Sequence, residues 1–153
     1  MTRAERKGAA LRRRLGLTGR VDAEAVANTF GYLVKRLPLV KQKEIEVDGF
    51  IGIADWLGPE ESRWCIAHCL GHKTMHEGNQ LWVYKKTMLG AKYEREADDF
   101  AHALLIDGRE VAEAGLSDAW EVAEHFGVPK DMVRLQPHLP IERTRSTDRR
   151  QCR

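Results

Sequence analysis

The feature that most constrains this fold is a pair of segments that each carry two polar side chains four residues apart. The first segment holds His68 and His72, and the second, about twenty residues later, holds Glu94 and Asp98. Residues four apart on an α-helix project from one face, about 6 Å apart along the axis. The spacing therefore predicts a helix pair whose facing sides share a polar site.

The residue types in this pattern favour a metal ion. Two imidazoles at this spacing suit zinc, and Glu94 adds a third, anionic ligand. Asp98, one turn later, can accept a hydrogen bond from the distal nitrogen of a ligating histidine. Glu96 is rotated by about 200° from Glu94, so only one of the two can reach the histidines, and we expect Glu94 to do so. Because ligating imidazoles must be neutral, metal affinity should fall below about pH 6.

The same residues also allow a purely structural interpretation, without a metal. Two histidines on one helix can be satisfied core or surface groups. Glu94 and Glu96 could instead favour the start of a helix through its dipole and pair with neighbouring basic side chains.

The elements along the chain indicate an α+β fold. We predict a small antiparallel sheet packed with the metal-site helix pair and with further C-terminal helices. The predicted elements are a helix over Arg3–Leu15, a helix after the N-cap Asp22, strands within 32–39 and 44–54, and helices over 59–76 and 91–106. Two or three shorter helices follow, separated by glycines.

Composition limits the class of protein. The chain has 153 residues, of which 42% are hydrophobic and 31% charged, so it can bury one core without disulfides. Its apolar runs are far shorter than the roughly 20 residues that a membrane span needs, and arginines interrupt the N-terminal segment where a signal peptide would be apolar. Three cysteines make a disulfide framework improbable, so we expect a reducing cytoplasm.

The charge is unevenly distributed. The first 20 residues carry seven Lys and Arg against Glu5, and residues 141–153 carry five Arg against two acids, although the net charge is only +2. We expect a basic N-terminal helix or arm over 1–20, a central domain over 21–139 and a disordered Arg-rich tail over 140–153. Such ends can touch nucleic acid or an acidic partner, but we expect them to be solvated.

Two motifs together resemble the ImmA/IrrE family of zinc metallopeptidase-like proteins. The motifs are Ile66-Ala67-His68-x-Leu70-Gly71-His72 and Glu94-x2-Ala97-Asp98-x-Phe100-Ala101, and the resemblance spans roughly Val21 to Leu139. It implies a zincin-like fold with one Zn²⁺ ion held by His68, His72 and Glu94. Because relatives cleave repressors, it also implies a protein partner or substrate such as a transcriptional repressor.

The sequence departs from that family at one position. The family has Glu directly after the first histidine, where it takes a proton from the attacking water, and this chain has Cys69. A thiol is shorter and has the wrong pKa for that proton transfer. We therefore expect Cys69 to stand non-functional at the general-base position, as a small buried apolar side chain.

Other roles remain open for the residues around Cys69. A carboxylate elsewhere could replace the missing base, with Glu60, Glu61, Glu77 and Glu96 as candidates, or Cys69 could ligate the metal as a thiolate. His76, one turn beyond His72, could hold a ligand in place through a hydrogen bond, have a structural role, or be a fourth ligand.

Three functions follow as hypotheses. The first is a pseudo-peptidase or regulatory protein that binds metal and a protein partner, and the alternative is an active or weakly active zinc endopeptidase. A minor alternative is a DNA-binding module, because residues 123–134 resemble a helix-turn-helix. Lys130 and Arg134 against Asp131 make a poor phosphate footprint, so we expect helix packing there, with neither nucleic acid nor membrane as a partner.

Overall fold

The computed structural model describes residues 1–47, 49–76 and 88–135, without the side chains of residues 88 and 89. Six α-helices and three strands make up this part of the chain. In order they are α1 (Arg3–Arg14), α2 (Ala23–Thr29), β1 (Leu33–Leu37), β2 (Glu44–Val47), β3 (Phe50–Ala54), α3 (Pro59–Met75), α4 (Met88–Leu105), α5 (Gly108–Glu113) and α6 (Ala119–Phe126), followed by a 3₁₀ turn over Lys130–Met132. None of the described helices combines the length and the apolar character that crossing a membrane requires. The α+β prediction is confirmed.

The first two helices begin at the polar residues that the sequence provides. Thr2 and Glu5 form a reciprocal capping box at the start of α1, and the side chain of Asp22 accepts a hydrogen bond from the backbone N–H of Ala25 in α2. Such caps satisfy backbone N–H groups that have no partner inside a helix. Both predicted helices are confirmed.

The sheet is mixed, which corrects the prediction of an antiparallel sheet. The strand order is β1-β3-β2, with β2 antiparallel and β1 parallel to β3. The chain reverses direction between β1 and β2, which are not neighbours in the sheet, and β3 then pairs between them. Alternation of side chains predicts strands but carries no information about their direction. The strands β2 and β3 follow one another as an antiparallel pair, with Val47 paired to Phe50, and Asp48 between them lies outside the described residues.

The face of the sheet that packs against α3 has an unusual composition. Ile51 and Ile53 of β3 are fully buried there. Cross-strand partners share a face, and β2 pairs Glu46 with Ile51 and Glu44 with Ile53. Two acidic side chains of an edge strand therefore lie on the same face as the core isoleucines.

Helix α4 completes the core. Its fully buried residues Phe100, Leu104 and Leu105 join Leu70 of α3 and Phe126 of α6 in one apolar cluster. The helix begins at Met88, three residues before the predicted start at Ala91, so Glu94 lies in its second turn. The residues between α3 and α4, which carry no clear pattern in the sequence, lie mostly outside the described part, as does the predicted tail over 140–153.

The segment after α6 does not form the second helix of a helix-turn-helix. Gly127 ends α6 in a left-handed conformation, and Pro129 leads into a 3₁₀ turn of only three residues. A recognition helix needs to be long enough to enter the major groove. The structure therefore gives no support to DNA binding through residues 123–134.

Candidate metal centre

The site lies where α3 and α4 pack closely. Pro59 at the first turn of α3 and Glu60 and Glu61 beside it favour the start of that helix. Gly71 then permits close approach, because a Cβ added there would lie 2.8 Å from the carbonyl oxygen of Ala97 on α4. The residues that follow this contact on each helix are His72 and Asp98, so the contact aligns the two polar motifs.

Three predicted ligands converge at this seam. Nε2 of His68 lies 3.0 Å from Nε2 of His72, and Glu94 oxygens lie 3.0 Å from His68 and 3.1 Å from His72. A tetrahedral ion with ligands at about 2.0 Å has ligand atoms about 3.3 Å apart. The two imidazole nitrogens and the Glu94 carboxylate, each of whose oxygens contacts one histidine, are thus close enough to hold a single ion.

Asp98 fixes the orientation of His68. Its carboxylate accepts a hydrogen bond from Nδ1 of His68 at 2.8 Å, so Nδ1 carries a proton and Nε2 is the ring nitrogen that faces Glu94 and His72. Acceptor groups facing one another at this distance require a proton or a cation between them. The donor set therefore fits a divalent metal, and carboxylate-bound histidine is the usual support for such a ligand.

The electrostatics of the site also favour positive charge. Burial alone would lower the pKa of His68, but its hydrogen bonds to Asp98 and Glu94 outweigh this and raise it to about 10. Hydrogen bonds from His68 and His72 hold the pKa of Glu94 well below its usual range. Both histidines are buried, whereas the Glu94 side chain is 61% exposed, so the site opens to solvent beside Glu94.

His76 lies beside this cluster rather than in it. Its Nε2 donates to Glu96 at 2.7 Å, and its ring packs edge-on against Tyr93 with centroids 4.1 Å apart. Burial lowers the pKa of His76, which keeps the ring neutral. The structure brings His68, His72 and Glu94 together as one possible metal-holding group, with Asp98 behind it and the His76–Glu96 pair alongside.

Comparison with known proteins now adds the family. The Peptidase_M78 family model, described as the IrrE N-terminal-like domain, matches residues 23–136. The chain belongs to this family. The resemblance that the two motifs indicate is confirmed, and the mixed sheet with its helices is the zincin-like IrrE fold. The family is typically zinc-dependent, in keeping with the His68, His72 and Glu94 group.

A solved structure supports the same fold. A Mycobacterium tuberculosis transcriptional regulator superposes with a TM-score of 0.64 at 18% sequence identity, over 86% of this chain and 45% of that chain. This chain thus spans less than half the length of that regulator. No curated protein matches the sequence.

Cys69, which directly follows His68 on α3, is a buried thiol. It is 3% exposed, Cys65 one turn earlier is 5% exposed, and neither forms a disulfide. Burial raises the pKa of Cys69 well above its usual range, and the carboxylates of Glu44 and Glu46 raise it further. The thiol is therefore protonated, which disfavours thiolate ligation and favours a small apolar role.

Glu44 and Glu46 are the residues that the sequence analysis missed. They reach α3 from β2: the Cys65 thiol hydrogen-bonds to Glu44, and the Tyr32 hydroxyl donates to Glu46 at 2.6 Å. Among the four carboxylates considered as replacement bases, Glu96 binds His76, Glu61 pairs with Lys43 at the surface, Glu60 lies exposed in the first turn of α3, and Glu77 lies outside the described residues. An alternating Glu-Ile-Glu-Val strand with glutamates at its inward positions is the signal that could have identified Glu44 and Glu46.

Proposed function

We propose that this protein is a metal-binding regulatory domain of the IrrE type, a pseudo-peptidase that binds a protein partner with little or no hydrolysis. One observation carries the proposal: two histidine nitrogens and the Glu94 carboxylate, in contact at 3.0–3.1 Å, stand beside a protonated thiol where the resembled family has its base. Ligand geometry is thus retained while the proton-transfer group is absent.

The partner that fits best is a transcriptional repressor. Members of the resembled family act on repressors, and the similar solved protein is a transcriptional regulator. Free Cys65 and Cys69 suit a reducing cytoplasm, where such a partner would be found.

The residues of the chain have separable roles in this proposal. His68, His72 and Glu94 would hold the ion, and Asp98 orients His68. A zinc ion there would supply a Lewis acid that polarises a carbonyl of the bound partner. Cys69 cannot accept a proton from water at neutral pH, so carbonyl binding is not followed by efficient cleavage.

A hydrolysis assay tests the missing base. Cys69→Glu should raise cleavage of an unstructured protein by about 10² to 10⁴, the usual contribution of general acid–base catalysis. Cys69→Gln introduces a side chain of the same size as glutamate but without a base, so it should stay inactive. The double variant Cys69→Glu, His72→Ala should also stay inactive. Efficient zinc-dependent cleavage by the wild type would refute the pseudo-peptidase proposal, and a folded, zinc-loaded Cys69→Glu that stays inert would show that the base is not the missing element.

An active peptidase is the second candidate, and one observation favours it. Glu44 and Glu46 face α3 at Cys65 and Cys69, so β2 could supply the carboxylate that α3 lacks. In that case the wild type cleaves, and Glu46→Gln or Glu44→Gln abolishes cleavage while zinc content is retained. The same assay therefore separates the two candidates.

A further inference from the structure

Helix α1 is fixed to the body of the protein by one of its faces. Ala4, Gly8 and Leu11 are buried there, and a Cβ added at Gly8 would overlap the carbonyl oxygen of Phe100 on α4. The buried guanidinium of Arg12 donates to the carbonyl oxygen of Leu104 at 2.9 Å and pairs with Glu110 at 3.0 Å. These contacts hold α1 as a rigid helix on the domain surface.

The opposite face of α1 is a row of arginines, Arg3, Arg6, Arg13 and Arg14, which we call the arginine face. All four are exposed, and at 100° per residue they lie within about 100° of arc, roughly opposite the buried Ala4, Gly8 and Leu11. Within the described residues none of the four forms an ion pair, and Arg6 bonds only the carbonyl oxygen of Met1. Glu5, the one acid of this helix, is engaged with the backbone N–H of Thr2.

The arginine face has the dimensions of a duplex groove. At 1.5 Å per residue Arg6 and Arg13 are about 10 Å apart along the axis, and Arg3 and Arg14 about 16 Å. The major groove of B-DNA is about 12 Å wide. The pair Arg3 and Arg6 and the pair Arg13 and Arg14 can therefore reach phosphates on its opposite sides. Between the pairs the exposed residue is Ala10, whose small side chain permits close approach.

We propose that the arginine face of α1 binds the phosphate backbone of duplex DNA without reading its sequence. From the sequence alone these arginines are expected to be solvated, but the folded helix places them in one row, with no acidic partner among the residues that the structure describes. Guanidinium groups match phosphate oxygens through paired N–H donors. Ala10 offers no hydrogen bond to a base edge, so the contacts position the protein rather than specify a site.

The chemistry of the face favours DNA over other anionic partners. Protein interfaces are centred on buried aromatic or aliphatic anchors, and here the centre holds only Ala10. Binding in the plane of a membrane needs a large apolar face beside the basic one, whereas the sides of α1 away from the arginines are buried against α4. Interfaces with DNA are instead polar and strongly positive.

Salt-dependent binding of the full chain to a fluorescent mixed-sequence duplex of about 20 bp tests the proposal. Four phosphate contacts predict that log K falls against log salt with a slope of about −3 to −4. Arg13→Gln with Arg14→Gln should reduce the magnitude of that slope by about 2, since each lost phosphate contact removes about 1. The exposed pair Lys35→Gln with Arg95→Gln, on β1 and α4, removes equal charge and should leave the slope unchanged.

Three results would overturn this proposal. They are no binding at about 50 mM salt, an equal loss in the Lys35 and Arg95 control, and equal binding to polyglutamate of matched charge, which would indicate an acidic protein as the partner. His72→Ala should bind the duplex as the wild type does, so DNA binding and the metal centre are tested independently.

Discussion

Helix α3 carries two buried sets of reactive side chains, and carboxylates accompany both. Facing α4, His68 and His72 meet Glu94 at hydrogen-bond distance, and the cluster attracts positive charge. Facing the sheet, Cys65 and Cys69 meet Glu44 and Glu46, and the same kind of negative charge keeps the thiols protonated. Neighbouring carboxylates thus favour cation binding by the histidines and keep the cysteine thiols protonated.

The difference lies in what each group becomes when it loses a proton. A neutral imidazole offers a lone pair to a metal without acquiring charge, so a nearby carboxylate adds to the attraction for the ion. A thiol must become an anion before it can ligate, and burial next to carboxylates opposes that step. The comparison predicts that metal binding depends on the α4 side of α3 alone.

The largest difference in zinc binding should appear between a variant on the α4 side of α3 and a variant on the side that faces the sheet. His72→Ala removes a ligand and should weaken zinc binding by more than about 100-fold, which exceeds the effect of losing a residue that only hydrogen-bonds to a ligand. Cys69→Ser replaces the protonated thiol with a hydroxyl group of similar size and should leave zinc binding unchanged. Zinc content after dialysis measures both, and stoichiometric zinc in His72→Ala would place the site elsewhere.

The pH dependence sharpens the same comparison. In the metal-free protein the pKa of His68 is raised to about 10, so the ion must displace a proton from Nε2 at any lower pH. Apparent zinc affinity should therefore fall about tenfold for each unit decrease in pH, or about 100-fold from pH 8 to pH 6. This extends the fall expected from an ordinary histidine to higher pH. Competition with a chelator of known pH dependence measures it, and an affinity that is constant between pH 7 and pH 8 would contradict the structure.

Two glutamates on α4 provide a test within one helix. Glu94 contacts both histidines, whereas Glu96 binds His76. Glu94→Gln should weaken zinc binding by tenfold or more, since the anionic ligand becomes neutral, and Glu96→Gln should have a much smaller effect. Equal losses in the same competition assay, or the reverse order, would overturn the assignment of Glu94.

The site could be predicted further from the sequence than the sheet beside it. The spacing of His68 and His72 determines a shared helix face, and the rotation between Glu94 and Glu96 separates them, because both follow from helix geometry alone. The inward position of Glu44 and Glu46 depends on which side of the sheet α3 covers. That is decided by tertiary packing and not by local sequence. The direction of β1 relative to β3 is likewise a tertiary feature.

The arginines of α1 illustrate the same limit. The sequence shows that residues 1–20 are basic, but the exposed row forms only because Ala4, Gly8 and Leu11 are buried against α4. Local pattern predicts the helix over Arg3–Leu15, whereas its cap at Thr2 is seen only in the structure. Packing decides which side chains remain free to meet a partner.

The smallest effect concerns Asp98, which supports the metal cluster without joining it. Asp98→Asn keeps an oxygen that can accept from Nδ1 of His68 but removes the negative charge that makes the ring a stronger base. Loss of such a partner costs about 10- to 100-fold in metal affinity, and retention of the hydrogen bond places the expected loss near tenfold. The neighbouring Asp99 contacts Thr2 and Arg134 instead, so Asp99→Asn is a matched control that should bind zinc as the wild type does. If both variants lose affinity equally, the effect is a general change in the charge of α4. If neither does, His68 is held by its packing, and the carboxylate behind it is not what distinguishes the α4 side of α3 from the side facing the sheet.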